Sequence, residues 1–110
     1  MKSYDSLNKM VEYIDRVENY TNEYDFENFS DDIKTIDATI FAISQIGECV
    51  KNVPENIKEK YDNIDWRVIQ DLRNRIVHDY EGINLKIIWY VIKNDLKQLK
   101  LDLKNILKEI

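Results

Sequence analysis

The chain is short of the residues that sheets, metal centres and disulfide scaffolds are built from. It holds one cysteine, one proline, one histidine and two glycines in 110 residues. A lone Cys49 excludes an intramolecular disulfide and a cysteine zinc cluster. With so little glycine and proline, a chain that is 44% hydrophobic and 34% charged reads as helical, because sheet proteins use those residues at their turns. No glycine-rich phosphate loop, dinucleotide fingerprint or zinc spacing occurs, so neither a cofactor nor a metal is expected. The longest apolar run, Ile87 to Ile92, is far too short to span a bilayer, and the first residues lack the apolar core of a secretory signal. The expectation is a single domain over residues 1–110, soluble and cytoplasmic, with no membrane contact. A net charge of −5 argues against non-specific nucleic-acid binding, although the distribution of charge matters more than its sum.

What is present is helical periodicity. Tyr4, Leu7, Val11, Ile14 and Val17 form an apolar stripe that predicts a first helix over Tyr4 to Tyr20. Asn19 to Phe29 is polar with scattered aromatics and reads as a connection. Ser30 is the expected N-cap of a second helix running from about Asp31 to Asn52, with Asp31 and Asp32 in its first turn, where the helix dipole favours them. Its seam is Ile33, Ile36, Ile40, Ile43, Gly47 and Val50, widened by Phe41 and Ile46. Gly47 costs about 1 kcal/mol of helix propensity relative to alanine, which predicts close approach by a neighbouring backbone or bulky side chain. After Pro54 a short helical turn is expected. A third long helix should start at Asp65 and bury Trp66, Ile69, Leu72, Ile76 and Val77. Asn84 caps a last helix with Leu85, Ile88, Ile92, Leu96, Leu99, Leu103, Ile106 and Ile110 on one face. The fold class is all-α, an up-and-down bundle of about four to five helices. The length of the last stripe calls for a partner all along it, either the first two helices or a second copy of the chain.

Several residue groups invite a chemical reading. Lys86, Lys93, Lys97, Lys100 and Lys104 line one flank of the last helix, which is either a stripe for a phosphate backbone or, more commonly, a solvated flank beside a partner helix. Asp31 and Asp32 are better explained by capping than by metal binding. Cys49 has no base near it in sequence and reads as a small buried hydrophobe. Glu48, beside Gly47 on a buried helix, needs a partner that Arg73 or Arg75 would supply.

The richest stretch is Arg73-Asn74-Arg75-Ile76-Val77-His78-Asp79-Tyr80, which contains the only histidine. A single imidazole is the one side chain here whose ordinary pKa suits proton transfer near neutral pH. On a helix, Asn74 and His78 lie nearly above one another, whereas Arg73 and His78 diverge by about 140°. For both to serve one site, Arg73 must reach round, the helix must end near His78, or a second subunit must complete the site. Gly82, two residues past Tyr80, is placed to stop the helix with a left-handed cap. A lone histidine at a helix C-terminus also serves as a charge–dipole contact, and on the residues alone both readings stay open.

The pattern Arg73-Asn74-x-x-x-His78-x-Tyr80 resembles the Arg-x(4)-His signature of HEPN-domain proteins, in the extended form ending in x-Tyr that is typical of HepT-type toxins of toxin–antitoxin pairs. Gln45-Ile46-Gly47-Glu48 resembles that family's Ile-Gly-Glu motif. Ile64-Asp65-Trp66-Arg67 resembles its Ile-Pro-Trp start, with Asp65 in place of proline, and Asp79 replaces a frequent glycine.

The resemblance implies a homodimeric helical bundle whose two motif segments meet in a metal-independent, RNA-cleaving site. Arg73 and His78 would be catalytic, with Asn74, Arg75 and Glu48 supporting them or binding RNA. The ribose 2′-OH would be the nucleophile. It further implies the toxin of a type VII-like pair, silenced by a nucleotidyltransferase antitoxin of the MntA type that adenylylates Tyr80. The alternative is a non-catalytic subunit that binds the nucleotidyltransferase, its motif serving for docking or modification. A plain dimeric scaffold, with the motif stabilising the interface, is a third reading.

Overall fold

The longest apolar stripes become the longest helices. The structure, a computed structural model, describes residues 2–78 and 82–110, and the side chains of residues 4–77 and 82–110. Helix α1 (Lys2–Thr21) buries Leu7, Met10, Ile14 and Val17. Helix α3 (Ile33–Lys51) buries Ile36, Ala42, Ile43, Ile46 and Val50 against it. The last stripe spans α7 (Leu85–Tyr90), a π-helical stretch (Val91–Asp95) and α8 (Leu96–Glu109), and α8 packs on α1. Each large apolar side chain removed from water in this core contributes about 1.5–3 kcal/mol before conformational entropy is set against it. The all-α bundle is as the sequence implies. Among the described residues no helix is long and apolar enough to cross a membrane.

The bundle is more finely divided than four to five helices. The segment expected as a connection carries α2 (Phe26–Ser30), whose capping box pairs the Asp25 side chain with the Asn28 backbone and the Asn28 side chain with the Asp25 backbone. Ser30 therefore ends one helix instead of starting the next, its hydroxyl donating to the Phe26 carbonyl at 2.7 Å. Asp32 is the N-cap of α3, accepting from the Thr35 backbone N–H at 3.1 Å. Ile33 is 72% exposed and Phe41 58% exposed, so neither belongs to the buried seam of α3. Pro54 precedes the short α4 (Glu55–Lys60) as expected.

The third long helix does not form. Asp65 caps α5 (Trp66–Gln70), the chain breaks at Asp71, and α6 covers only Leu72–Ile76. At the break the Asp71 N–H is shared between the Arg67 and Val68 carbonyls, both at 3.2 Å, the bifurcated bond of a tightening last turn. Val77–His78 (β1) is extended and pairs antiparallel with Gly82–Ile83 (β2), His78 opposite Gly82. Gly82 has a φ of +84, as the sequence suggests, but it serves this small hairpin and not a helix cap. Asn84 caps α7 by accepting from the Ile87 N–H at 3.1 Å.

On both sides of the π-helical stretch the apolar stripe keeps to one face, and Ile88, Ile92, Leu96, Leu99, Leu103 and Ile106 are all buried.

Candidate functional site

Gly47 shows how the segment bearing the motif is seated. A Cβ built at this position would lie 2.8 Å from the Gln70 carbonyl oxygen and 3.6 Å from that of Ile69. Helix α3 therefore receives the C-terminal carbonyls of α5 directly against its backbone, and only glycine leaves the room. The close approach expected from a glycine inside the seam is there, at the end of α5.

From that seat α6 presents its polar residues to solvent. Arg73 is exposed, and its Nη1 donates to the Asn74 Oδ1 at 3.4 Å. Asn74 in turn donates through Nδ2 to the Asp71 Oδ1 at 2.7 Å. Asn74 thus stands between a carboxylate and a guanidinium, each of its two amide atoms facing the group it suits. Asp71 was not singled out in the sequence; the available signal was a carboxylate three residues before Asn74, one helical turn away.

Arg75, two positions on, points to another flank. Its Nη1 lies 3.1 Å from the Asp95 Oδ2, at the end of the π-helical stretch. The pair borders a cleft of about 240 Å³ between α5–α6 and the last helix, floored by Ile64, Val68, Leu72 and Leu96.

His78 follows α6 by two residues, in the first strand of the hairpin. Its relation to Arg73 is therefore not that of two residues on one continuous helix, and the 140° divergence does not apply. The helix ends before His78, one of the three ways in which both residues can serve one site. The His78 side chain and the whole of Tyr80 lie outside the described residues.

Glu48 corrects an expectation. Its carboxylate is 61% exposed and pairs with Lys51 at 3.0 Å on its own helix, not with Arg73 or Arg75. Gly47 faces α5, and the next residue, turned by about 100°, faces solvent, where a carboxylate needs no buried partner.

The other candidates resolve into structural roles. The Asp32 carboxylate accepts from the Tyr24 hydroxyl at 2.5 Å and from the Thr35 hydroxyl at 2.8 Å, besides its capping bond. Those donors, Tyr24 first, hold its pKa below the usual carboxylate value. Cys49 is half-buried, and burial pushes its thiol pKa up, away from a reactive thiolate. In the lysine row, Lys100 bridges Asp15 at 2.7 Å and Glu18 at 2.8 Å on α1, and Lys93 lies 4.6 Å from the centre of the Trp89 ring. Lys86, Lys97 and Lys104 are exposed. At Lys100, then, the charged flank lies beside a partner helix. Among the described residues no group of three or more His, Cys, Asp or Glu side chains is placed to hold a metal ion.

Known proteins place this arrangement. A Methanocaldococcus jannaschii protein named as a candidate RNase is 37% identical over 97% of this chain and 85% of its own length. A "probable ribonuclease HepT" of Thermococcus cleftensis is 36% identical over 87% of both chains. A protein of Caldanaerobacter subterraneus, also named as a candidate RNase, is 34% identical over 76% of this chain and 75% of its own. No solved structure matches the chain. The family model described as ribonuclease HepT-like matches residues 10–106, from the middle of α1 to near the end of α8 and across the whole motif, and the chain belongs to that family.

Proposed function

We propose that this chain is an endoribonuclease that cleaves RNA without a metal ion and acts as the toxin of a toxin–antitoxin pair. One observation carries the reading. In a member of a ribonuclease family, an exposed Arg73, tied to Asp71 through Asn74, lies a turn before the point where the helix stops and the chain's only histidine follows.

The chemistry suits these groups. A ribose 2′-oxygen attacks the adjacent phosphorus as the bond to the 5′-oxygen breaks, leaving a cyclic phosphate and a free 5′-hydroxyl. His78, whose ordinary pKa is about 6.5, takes the 2′ proton or supplies one to the departing oxygen. In a homodimer two such imidazoles serve one site, one in each role. Arg73 offsets the charge that gathers on the phosphoryl oxygens in the transition state. The nucleophile belongs to the ribose, so DNA is not a substrate.

In this reading a nucleotidyltransferase antitoxin silences the toxin by transferring AMP to Tyr80. The added group puts bulk and negative charge where the RNA phosphate must bind. The acidic net charge of the chain is then no obstacle, since only the groove between two copies has to attract RNA.

The test is RNA cleavage in EDTA by chain whose intact mass shows no added AMP, beside His78→Ala. Wild type should cleave and the variant should lose about 10²–10⁴-fold, with its dimer preserved. Cleavage by both would indict a contaminant. No cleavage by a folded, unmodified dimer would favour the nucleotidyltransferase-binding subunit instead.

A further inference from the structure

We infer that Asp95 is a positioning residue for RNA cleavage: its ion pair with Arg75 holds α6 in the one rotation that presents Arg73 to the substrate. The inference rests on the ribonuclease reading above and assigns Arg75 a different task from contacting RNA.

Few contacts hold α6. It is five residues long, far too short to persist without tertiary contacts. Its N-cap, Asp71, makes no side-chain capping bond, a break in the helix precedes it and extended backbone follows it. Leu72 and Ile76 are its buried residues. Two apolar anchors one turn apart and the Asn84 N–H on the Ile76 carbonyl fix the buried side and the end of the helix, and among the described residues Arg75–Asp95 is the side-chain bond that ties its polar side to another helix.

The bond from Arg75 to Asp95 limits rolling about the helix axis. It spans 20 residues of sequence and joins α6 to the last helix at 3.1 Å. Arg73 and Arg75 are two residues apart, so they leave a helix about 200° from one another. A guanidinium drawn toward the last helix therefore sends the other to the opposite flank, where Arg73 is exposed and bonded to Asn74.

The place of Asp95 supports the assignment. It closes the π-helical stretch, the one described departure from α geometry in the last helix, and such insertions are frequent at functional sites. The pair is also poorly suited to a purely stabilising role. Its side chains are 42% and 35% exposed, and ion pairs of that exposure add little to stability and are screened by salt. Orientation is a different matter, because a displacement on the order of 1 Å at a catalytic group costs up to about 10²-fold in rate.

The experiment compares unmodified full-length wild type with Asp95→Asn, Arg75→Gln, Asp95→Glu and the swapped pair Arg75→Asp/Asp95→Arg. KM, kcat and Tm are read for each on one RNA. The two neutral variants should lose about tenfold or more in kcat with KM and Tm little changed, and the Glu variant and the swapped pair should recover most of it. If Arg75 instead contacts RNA, Arg75→Gln raises KM, Asp95→Asn leaves kcat intact, and the swap rescues nothing, which overturns the inference. A structural role alone would lower Tm in step with activity, and this also overturns it. Should Asp95→Asn fold poorly, the swapped pair decides by whether it restores kcat. A wild type that does not cleave defeats the ribonuclease reading itself, and this inference with it. A cleaving wild type matched by Asp95→Asn defeats the inference alone.

Discussion

Two parts of this molecule solve the same problem by opposite means. Helices α1, α3 and α8 are 20, 19 and 14 residues long and are held by continuous apolar stripes. Between Trp66 and Ile83 the described residues form five-residue helices and two-residue strands. Its position is set by single events: a carbonyl against Gly47, an ion pair to Asp95, and the Asn84 N–H bonded to the Ile76 carbonyl at 2.9 Å. The regular part provides stability, and the irregular part uses it to hold polar groups in the open. Damage to the first should appear as unfolding with activity per folded molecule unchanged. Damage to the second should appear as lost activity at modest cost in stability.

The largest thermodynamic effect should come from the regular part. Ile43 is fully buried on α3, and Ile43→Ala leaves a cavity worth about 2–5 kcal/mol. Urea unfolding should show that loss, while RNA cleavage at low temperature by the folded fraction should match wild type. A specific-activity loss exceeding the unfolded fraction would mean that the two parts are not separable. Gly47→Ala sits on the border between them. Alanine restores about 1 kcal/mol of helix propensity, yet its Cβ would fall 2.8 Å from a backbone oxygen that has no side-chain freedom to move away. The net expectation is a destabilisation of about 1–3 kcal/mol, together with a fall in cleavage that Ile43→Ala does not share. A more stable, fully active Gly47→Ala chain would show that α5 does not depend on that contact.

How much of this was legible beforehand follows the same division. The stripe Ile36, Ile43, Val50 and the stripe Leu96, Leu99, Leu103, Ile106 could be read because long helices repeat their own evidence each turn. Met10 was missed, although it is fully buried, because Leu7, Val11 and Ile14 already satisfied the pattern on that face. Sequence alone places the cap at Ser30 and Asp32 in the first turn, because the capping box at Asp25, which puts Ser30 at the end of α2, does not stand out there. The break at Asp71 could not be read at all. Ile69, Leu72 and Ile76 fit one continuous helix, whereas the folded chain ends α5 at Gln70, whose carbonyl packs against Gly47, 23 positions earlier. The motif itself is visible through family resemblance, and the spacing of Asp71 from Asn74 is a local signal, whereas the pairing of Arg75 with Asp95, 20 residues on, emerges only from the folded arrangement.

A smaller effect tests the capping of α3. The Asp32 carboxyl is held below its ordinary pKa of 3.8, mainly by the Tyr24 hydroxyl. A depressed folded pKa contributes stability above the unfolded value, and that stability is lost as pH falls through the folded one. Tyr24→Phe removes the largest cause of the shift. Its Tm should therefore fall below that of wild type at neutral pH, and the gap should narrow as pH drops below 3.8. A gap independent of pH would trace the loss to packing and not to the carboxylate.

The smallest effect belongs to Lys100, and salt is the means of reading it. Its ammonium bridges Asp15 and Glu18 across the α1–α8 contact, with carboxylates 49% and 44% exposed. Donating hydrogen bonds to those two carboxylates raises its pKa above the ordinary 10.5, so the contribution is complete at neutral pH and lost only in strong alkali. Exposed pairs of this kind are worth below about 1 kcal/mol even at low ionic strength. Lys100→Met, which keeps the apolar stem, should cost no more than that in dilute buffer and almost nothing near 1 M salt, where the screening length is about 3 Å. Cleavage should be unchanged apart from the ordinary salt dependence of RNA binding. If Lys100→Met instead raises KM for RNA by tenfold while stability holds, the lysine flank of the last helix belongs to the RNA path, and the division between a stabilising part and a working part fails at this edge.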